Sequence, residues 1–365
     1  MQTRLCQRVY SPLRISDHCG VSTNSTALMA ITAAAPTIDQ SVVMQAVHEQ
    51  FGLRGEYSSL VSERDQNFLL RTADARQFLV KVTSAVEEAA TTDFQIGALQ
   101  HIAKTGGILA PGVVPTLSGD PSGHLRGAGN SHRLRVMTWV NGEQLEKSHI
   151  DTALAERFGR ALAELDLALQ GYSHPGENPA LLWDLHRVTE LRDLLDAIRD
   201  PTVQVGVTKA IDDYENHVVP ALPMLRAQVI HSDANPENVL VAGKRLGFID
   251  FGDAIKAPLV FDVAIAASYM RVFDGDPTML IEPFIGGYHA VLPLHAIEKR
   301  VLFDLIRARL TTTITLLYWR LRTRPENDPY RQKALDLEGG AEKFLTALDT
   351  LGRSAFNNKI SKLYL

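Results

Sequence analysis

Cysteine is almost missing from this sequence of 365 residues. Its two cysteines, Cys6 and Cys19, both lie within the first 20 residues. A disulfide framework or a structural zinc site needs several cysteines or histidines at short spacings, so neither is expected. The same scarcity is typical of a reducing compartment, and we predict a cytoplasmic protein.

The sequence also lacks a long apolar run and a strong excess of one charge. No stretch reaches the roughly 18 consecutive apolar residues that a membrane helix needs. Lys and Arg number 37 against 42 Asp and Glu, a net charge of -5. Because nucleic acids and anionic membranes attract clustered Lys and Arg, we expect neither as a partner. The 45% hydrophobic content supports one large or two moderate globular domains, and nothing in the composition indicates an oligomeric state.

Residues 1–38 have no sustained hydrophobic period and are rich in Ser, Thr and Ala. Three interpretations compete: a disordered tail, a transit-like segment, or a gene start set too early, with Met29 as the true initiator. We favour the first or the third, because the segment has no compact apolar block of the secretory type.

The most informative stretch covers residues 228–253, QVIHSDANPENVLVAGKRLGFIDFGD. A short apolar strand leads to His231 and Asp233, and Asn238 follows five residues after Asp233. Two short apolar segments around a turn at residues 242–245 predict a hairpin, and its second strand ends at Asp250. This pattern gathers two carboxylates and one carboxamide at one end of a small sheet.

Such a set suits transfer of a phosphoryl group from a nucleotide, where positioning and charge neutralisation do most of the catalysis. Asp233 is predicted to accept a hydrogen bond from the acceptor hydroxyl. Asn238 and Asp250 offer the hard oxygen ligands that Mg²⁺ prefers. His231 is predicted to hold the loop rather than to transfer a proton. The plain alternative is a β-hairpin with surface Asp and Asn residues, which the combination of HxDxxxxN, hairpin and IDFGD disfavours.

The stretch resembles the catalytic and metal-binding loops of the aminoglycoside phosphotransferase and choline kinase superfamily. Within it, SERDQNFLL at residues 62–70, DFQ at 93–95 and FGD at 251–253 resemble the hydroxylysine kinase family. The resemblance covers residues 40–325 and implies an α+β, bilobal protein-kinase-like fold. We assign residues 39–138 to a nucleotide-binding N-lobe and 139–365 to a C-lobe for catalysis and acceptor binding. One departure is Ser232, where the superfamily usually has Gly.

The predicted N-lobe begins with three strands at residues 57–61, 67–71 and 77–83. The polar turn between the first two stands where a kinase-like lobe covers the phosphates, although no GxGxxG is present. Asp65 and Asn67 in this region are either nucleotide-binding residues or turn formers.

Lys81 lies within the third predicted strand, where it either points to solvent or, as the resemblance implies, contacts the α- and β-phosphates. Its carboxylate partner is expected on a helix over residues 86–104, from Glu87, Glu88 or Asp93. In the superfamily the partner acid is often a Glu at the position of Gln95, whereas the hydroxylysine kinase group has an acid two positions earlier. We therefore choose Asp93.

A strand over residues 134–138 leads to the junction that the resemblance identifies as the hinge between lobes. Met137 and Trp139 there either line the pocket for the nucleotide base or pack the lobe interface. Further on, residues 151–170 show a strong amphipathic period and predict a helix whose apolar side lies in the core.

The last long helix, predicted over residues 294–322, is more basic than acidic. It does not supply the convergent carboxylates that a polycationic aminoglycoside needs, whereas Arg307 or Arg309 could bind the carboxylate of an amino acid. Asp253 and Asp184 are candidates for the amines of such an acceptor. All four have an alternative as ordinary surface charges.

These observations predict a small-molecule kinase with Mg²⁺ as cofactor, a nucleotide as donor and an amino-acid-like acceptor. The resemblance implies 5-hydroxy-L-lysine as the acceptor and GTP, besides ATP, as a donor. Two alternatives remain: a kinase for an aminoglycoside, homoserine or choline, and a non-catalytic nucleotide-binding pseudokinase.

Overall fold

The computed structural model describes residues 35–127, 129–323 and 340–363, together with residues 326, 331 and 335. Most of the predicted tail, with Cys6, Cys19 and Met29, lies outside the described residues. The described chain forms a small lobe built on an antiparallel sheet and a larger, mainly helical lobe.

The small lobe contains a five-stranded antiparallel sheet in the order β1-β2-β3-β5-β4. Its strands are β1 Gly55–Leu60, β2 Gln66–Thr72, β3 Gln77–Val82, β4 Gly123–Gly127 and β5 Asn130–Thr138. The three predicted strands are therefore confirmed, with ends shifted by one or two residues. Helix α1, Gln40–Phe51, begins at Asp39, whose side chain accepts a hydrogen bond from Ser41 N, and ends at Gly52 with a φ of +68°.

Alternation along β3 decides which side chains reach the core of the small lobe. Val80 and Val82 are fully buried against α1 and the neighbouring strands. Leu79 and Lys81 have the opposite orientation, since successive strand residues point to opposite faces, and both line the cleft between the lobes. Strand β3 thus presents Lys81 to the cleft, where Arg135 of β5 also lies.

Helix α2, Ala89–Thr105, links the lobes. Phe94, Leu99 and Ile102 belong to the core of the large lobe rather than to that of the small lobe. The helix begins three residues later than predicted, after Glu88 at its N-cap.

In its described residues, the large lobe has seven further α-helices. They are α3 Thr152–Leu169, α4 Pro201–His217, α5 Leu259–Ala267, α6 Ile281–Val291, α7 Ala296–Thr323, α8 Ala341–Leu351 and α9 Arg353–Lys362. The predicted apolar stripe of α3 is buried. Glycines allow α3 and α6 to pack closely: a Cβ on Gly159 would lie 1.9 Å from Phe284 O, and one on Gly287 would lie 2.1 Å from Glu156 O. Among the described residues, no helix has the length and apolarity to cross a membrane.

Two small sheets support the predicted catalytic segment. Strand β7, Ala227–Ile230, pairs with β10, Ile255–Pro258. Strand β8, Val239–Ala242, pairs with β9, Arg245–Phe248, as the hairpin predicted from the sequence, and with the short β6, Glu143–Gln144. The predicted catalytic segment therefore leaves the first sheet after β7 and joins the second sheet at β8. The loop between these strands faces the cleft.

Candidate active site

Asp262 on α5 holds the loop after β7 through hydrogen bonds to its backbone. The Asp262 carboxylate accepts hydrogen bonds from His231 N at 2.9 Å and from Ser232 N at 2.6 Å. The His231 ring is fully buried, and its Nε2 lies 3.0 Å from Ile249 O, at the end of the hairpin. His231 lines neither of the two cavities described below. These contacts agree with a holding role and not with direct proton transfer.

A second buried carboxyl group, Asp166 on α3, supports Asp262. Asp166 and Asp262 are both fully buried, and Tyr288 donates a hydrogen bond to Asp166 Oδ2 at 2.6 Å. Burial and the neighbouring Asp262 raise the pKa of Asp166 well above its ordinary value. A raised pKa favours the protonated form, which reduces the repulsion between the two buried carboxyl groups.

Ser232 occupies a backbone conformation that favours glycine, with a φ of +64°. This explains why the superfamily usually has Gly at this position. The backbone N–H groups of His231 and of Ser232 itself both donate to Asp262, and these two hydrogen bonds hold the strained residue in place.

We expect Ser232→Gly to keep turnover within about twofold. Ser232→Val should lower the free energy of unfolding by about 1–2 kcal/mol relative to Ser232→Gly, because a β-branched residue is strained at positive φ. Urea denaturation of both variants measures the difference. Ala75, with a φ of +63° in the turn between β2 and β3, offers a matched control, since Ala75→Gly relieves similar strain far from the loop. A valine variant as stable as the glycine variant would contradict this account.

Asp233 lies at the centre of a hydrogen-bonded group. Its Oδ2 accepts from Asn238 Nδ2 at 2.7 Å and from Asn235 Nδ2 at 3.1 Å, and its Oδ1 lies 3.2 Å from Arg309 Nη2. Burial, together with repulsion from Asp253, raises the pKa of Asp233 to about 8, against the opposing effect of Arg309. A carboxyl group with a pKa perturbed towards neutrality in a cleft is typical of a reacting group.

Asp250 follows β9 in a left-handed conformation, with a φ of +57°, and its Oδ1 accepts from Gly252 N at 3.2 Å. Its side chain is 53% exposed in the cleft and lies 3.5 Å from Lys81 Nζ. Lys81 and, less strongly, Arg64 hold the pKa of Asp250 below its ordinary value despite burial of the site. Asp250 is therefore an ionised carboxylate that faces the cleft.

Lys81 pairs with Asp65 of the loop between β1 and β2, not with an acid on α2. The Asp65 Oδ2 lies 3.0 Å from Lys81 Nζ and 3.7 Å from Arg135 Nη2, and Asp65 Oδ1 accepts from Ser84 N at 2.9 Å. Burial would raise the pKa of Asp65, but Lys81 and Arg135 outweigh it and lower the pKa. Asp65 thus supplies the negative charge that orients Lys81.

The predicted pairing of Asp93 with Lys81 is wrong. Asp93 forms an ion pair with Arg133 at the half-exposed side of α2. The position facing the cleft is Gln95, whose Nε2 donates to Gly252 O at 3.0 Å and whose Oε1 accepts from Arg135 at 2.6 Å. Two residues along a helix are about 200° apart, so Asp93 and Gln95 cannot face the same partner.

Two of the predicted acceptor-binding residues lie away from both cavities. Arg307 is fully buried among the helices, where it bonds to Asp213 at 2.7 Å and to Asp349 at 2.6 Å. Asp184 begins a 3₁₀ helix at Leu185–Ala197, and its carboxylate accepts from His186 N at 2.9 Å. Both are structural in this fold, and neither supports the predicted contact with an acceptor.

A cleft of about 570 Å³ opens between the lobes. Apolar side chains form much of its wall, and the predicted base-pocket residues Met137 and Trp139 are among them. Its other end is polar and contains Lys81, Asn238 and Asp250. The apolar part of this cleft suits the flat base of a nucleotide, and the end with the lysine and the ionised carboxylate suits its phosphates with a bound cation.

A smaller polar pocket of about 170 Å³ adjoins this end of the cleft. Both cavities are lined by the same six residues, Val61, Asn67, Lys81, Glu237, Asn238 and Asp250. The polar pocket alone contains Asp233, Asp253 and Arg309, which the sequence placed at the site. A group that spans the two cavities therefore passes the six shared residues, Asp250 among them, and enters the pocket that contains Asp233.

The polar pocket also contains residues that the sequence analysis did not identify. Arg64 pairs with Asp253 at 2.5 Å, and Glu63 pairs with Arg320 near the end of α7 at 3.3 Å. Asn235 bonds to Asp233 as described above. Only the alternation of acids and bases in the segment SERD hinted at these pairs, because their partners lie at least 189 residues away along the chain.

The predicted magnesium ligands fit a hard cation. Asn238 uses its Nδ2 to donate to Asp233, which directs its Oδ1 away from that bond, and Asp250 offers an ionised carboxylate to the same cleft. Carboxylate and carboxamide oxygens are the ligands that Mg²⁺ prefers, with waters and phosphates completing its shell. When bound there, Mg²⁺ would neutralise charge on the phosphates.

Comparison with known proteins agrees with this geometry. A model of the "Phosphotransferase enzyme family" matches residues 57–299. Hydroxylysine kinase of Danio rerio is 26% identical over 319 residues, which cover 83% of this chain and 90% of the relative. Homoserine kinase of Mesorhizobium japonicum is 31% identical over 265 residues, 70% of this chain and 77% of the relative.

Among solved structures, an amicoumacin kinase in complex with AMP-PNP and Ca²⁺ is similar in fold, with a TM-score of 0.64 at 14% identity over 83% of this chain and 93% of that one. The predicted α+β, bilobal protein-kinase-like fold is therefore confirmed, and so is the resemblance on which it was based.

Proposed function

The chain belongs to the phosphotransferase enzyme family, and on that premise we propose that it transfers the γ-phosphoryl group of a nucleoside triphosphate to a hydroxyl of 5-hydroxy-L-lysine. The single observation that carries this proposal is the junction of the apolar cleft and the polar pocket at Lys81, Asn238 and Asp250, with Asp233 on the pocket side. The coarser conclusion, a small-molecule phosphotransferase, rests on the family match alone.

The site residues take the following roles in this proposal. Lys81, oriented by Asp65, binds the phosphates, and Asn238 and Asp250 hold Mg²⁺. Asp233 accepts a hydrogen bond from the acceptor hydroxyl and aims it at the γ-phosphorus. Met137 and Trp139 contact the base, and Asn67 lies at the phosphate end. The intact set of charged groups argues against a pseudokinase.

The charges of the polar pocket favour a zwitterionic acceptor. Carboxylates do converge there: the sequence analysis placed Asp233 and Asp253 at the acceptor but did not identify Glu63. However, each of Glu63, Asp233 and Asp253 faces an arginine. A polycation would meet three guanidinium groups, whereas an amino acid carries both a negative and a positive group and can contact a guanidinium and a carboxylate of this pocket at once. The volume of about 170 Å³ is also below the roughly 300–1,000 Å³ of pockets for drug-sized ligands.

Homoserine is the second candidate acceptor, and the 31% identity to a homoserine kinase favours it. It is also an amino acid with a side-chain hydroxyl, so the same charges would serve it. Choline and aminoglycosides lack the carboxylate and are expected to be poor acceptors.

An acceptor panel tests the proposal. Purified protein with Mg²⁺ and saturating nucleotide is incubated with 5-hydroxylysine, homoserine, choline or kanamycin, and release of nucleoside diphosphate is measured. We expect 5-hydroxylysine to have the highest kcat/KM and kanamycin to be at least about tenfold poorer, since one misplaced charge-assisted contact costs about that much. Efficient phosphorylation of kanamycin with none of 5-hydroxylysine would overturn the assignment.

For the donor, we propose that GTP serves at least as well as ATP, as the resemblance to the hydroxylysine kinase family implies. Side-by-side titrations of the two nucleotides at a fixed acceptor concentration measure kcat/KM for each. Strict dependence on ATP would remove this part of the proposal and leave the kinase assignment intact.

A further inference from the structure

An ion pair between the lobes closes one side of the polar pocket. Glu63, from the loop between β1 and β2, meets Arg320 of α7 at 3.3 Å, and their side chains are only 8% and 7% exposed. The Arg320 guanidinium also lies over the Trp183 ring, 4.7 Å from its centroid. All three side chains line the polar pocket, and none lines the nucleotide cleft.

The pair lies in the pocket that contains Asp233 but outside the nucleotide cleft. Asn238 and Asp250 belong to both cavities, so the phosphate end of the nucleotide approaches the pocket from their side. Arg309, the basic residue expected from the sequence to bind a carboxylate, contacts Asp233 and Tyr269 instead. For an acceptor whose hydroxyl faces Asp233, Arg320, which pairs with Glu63, is then a cation of the same pocket that could meet the carboxylate.

Arg320 and Glu63 have the chemistry that the two head groups of an amino acid require. A guanidinium binds a carboxylate through two parallel N–H bonds, and a carboxylate of Glu63 can accept from an ammonium. The Trp183 ring covers one face of the guanidinium and restricts water there, which strengthens charge-assisted bonds. A buried ion pair by itself contributes little net stability, so stability alone does not explain why it lines this pocket.

We propose that Arg320 and Glu63 bind the α-carboxylate and the α-ammonium of the acceptor. The inference rests on the proposed function, because it assumes an amino-acid acceptor, and it adds the residues that select that class. Since Glu63 comes from the small lobe and Arg320 from the large lobe, the acceptor itself would bridge the two lobes. The site for its head group is then complete only when the loop between β1 and β2 lies against α7.

Arg320→Met tests the carboxylate contact, because methionine keeps an apolar stem over Trp183 while removing the charge. Two acceptors are compared: 5-hydroxylysine and the corresponding diamino alcohol that lacks the α-carboxylate. We expect the variant to lose about ten- to a hundredfold in kcat/KM for 5-hydroxylysine and less than about threefold for the diamino alcohol. Arg322→Met is the matched control, since Arg322 on the same helix pairs with Asp196 outside both cavities and should change neither value.

Glu63→Gln gives a second, independent measurement. It should raise the KM for 5-hydroxylysine about tenfold and leave the KM for its hydroxy-acid counterpart without the α-amino group nearly unchanged. Binding of the nucleotide alone, measured by calorimetry for each variant, checks that the fold is intact.

The outcomes separate the two levels of the proposal. If the wild-type protein phosphorylates none of these compounds, the proposed function is wrong, and this inference falls with it. The other outcome is that the wild type uses these compounds while Arg320→Met lowers kcat/KM equally for both acceptors, or for neither. In either case the pair is only a contact between lobes, and this inference alone is wrong.

Discussion

Asp233→Asn should lower kcat by at least about a hundredfold and leave the KM for the nucleotide within about threefold. In the proposed mechanism this carboxylate accepts the hydrogen bond from the attacking hydroxyl, and proton acceptors of this kind contribute about 10²–10⁴-fold. Asparagine has nearly the same size and can still meet Asn235 and Asn238, so the loop should keep its shape. Steady-state kinetics with saturating nucleotide measure the loss.

The control for this variant is Asp212→Asn, since Asp212 is a half-exposed surface residue paired with Arg192. It should behave as the wild type. Near-normal turnover of Asp233→Asn would show that the acceptor is oriented by another group, and Arg309 would then be the first residue to examine.

Asp65→Asn is the second substitution with a large expected effect, about a hundredfold in kcat/KM for the nucleotide. Burial alone would lower the pKa of Lys81, and Asp250 and Asp65 together keep it raised. Without Asp65, Lys81 keeps Asp250 as its carboxylate partner, so the lysine would be drawn to a residue proposed to hold Mg²⁺. A charge-assisted contact of this kind is worth roughly 1.5–3 kcal/mol.

A second substitution should repair this loss. Gln95 stands on α2 where the superfamily often has Glu, and it lines the same cleft as Lys81. We expect Asp65→Asn with Gln95→Glu to recover at least about tenfold over Asp65→Asn, because the carboxylate returns from the other side. Asp74→Asn, at an exposed pair in the same lobe, is the control. If kcat/KM of the double variant did not exceed that of Asp65→Asn, Asp65 would have a role beyond pairing with the charge of Lys81.

The geometry of the predicted catalytic segment could be inferred from the sequence because its key residues are close together in the chain. Asp233, Asn238 and Asp250 lie on one loop and one hairpin, so a local pattern already placed them at one end of a small sheet. Lys81 was predictable for a related reason, since strand alternation gave it a defined face once the third strand was identified. The resemblance added the roles, which spacing alone does not supply.

The errors have a common physical origin. Asp93 was chosen from the resemblance and Arg307 for its charge on a basic helix, but the direction of a helical side chain depends on how that helix is rotated against its neighbours. The core, not the local sequence, sets that rotation. Asp184 was misread for another reason, since an Asp before a helical turn commonly bonds to the backbone. The pairs of Glu63 and Arg64 were missed because each joins segments far apart in the chain.

Helix α7 carries residues with opposite tasks at nearly adjacent positions. Arg307 enters the buried ion network with Asp213 and Asp349, while Arg309 reaches Asp233 in the polar pocket. Because the two side chains project about 200° apart, the insertion or deletion of one residue near them would turn both away from their partners together. Replacement of individual side chains along the pocket face of α7 is therefore expected to change acceptor preference with less disruption than a one-residue insertion or deletion near Arg307 and Arg309.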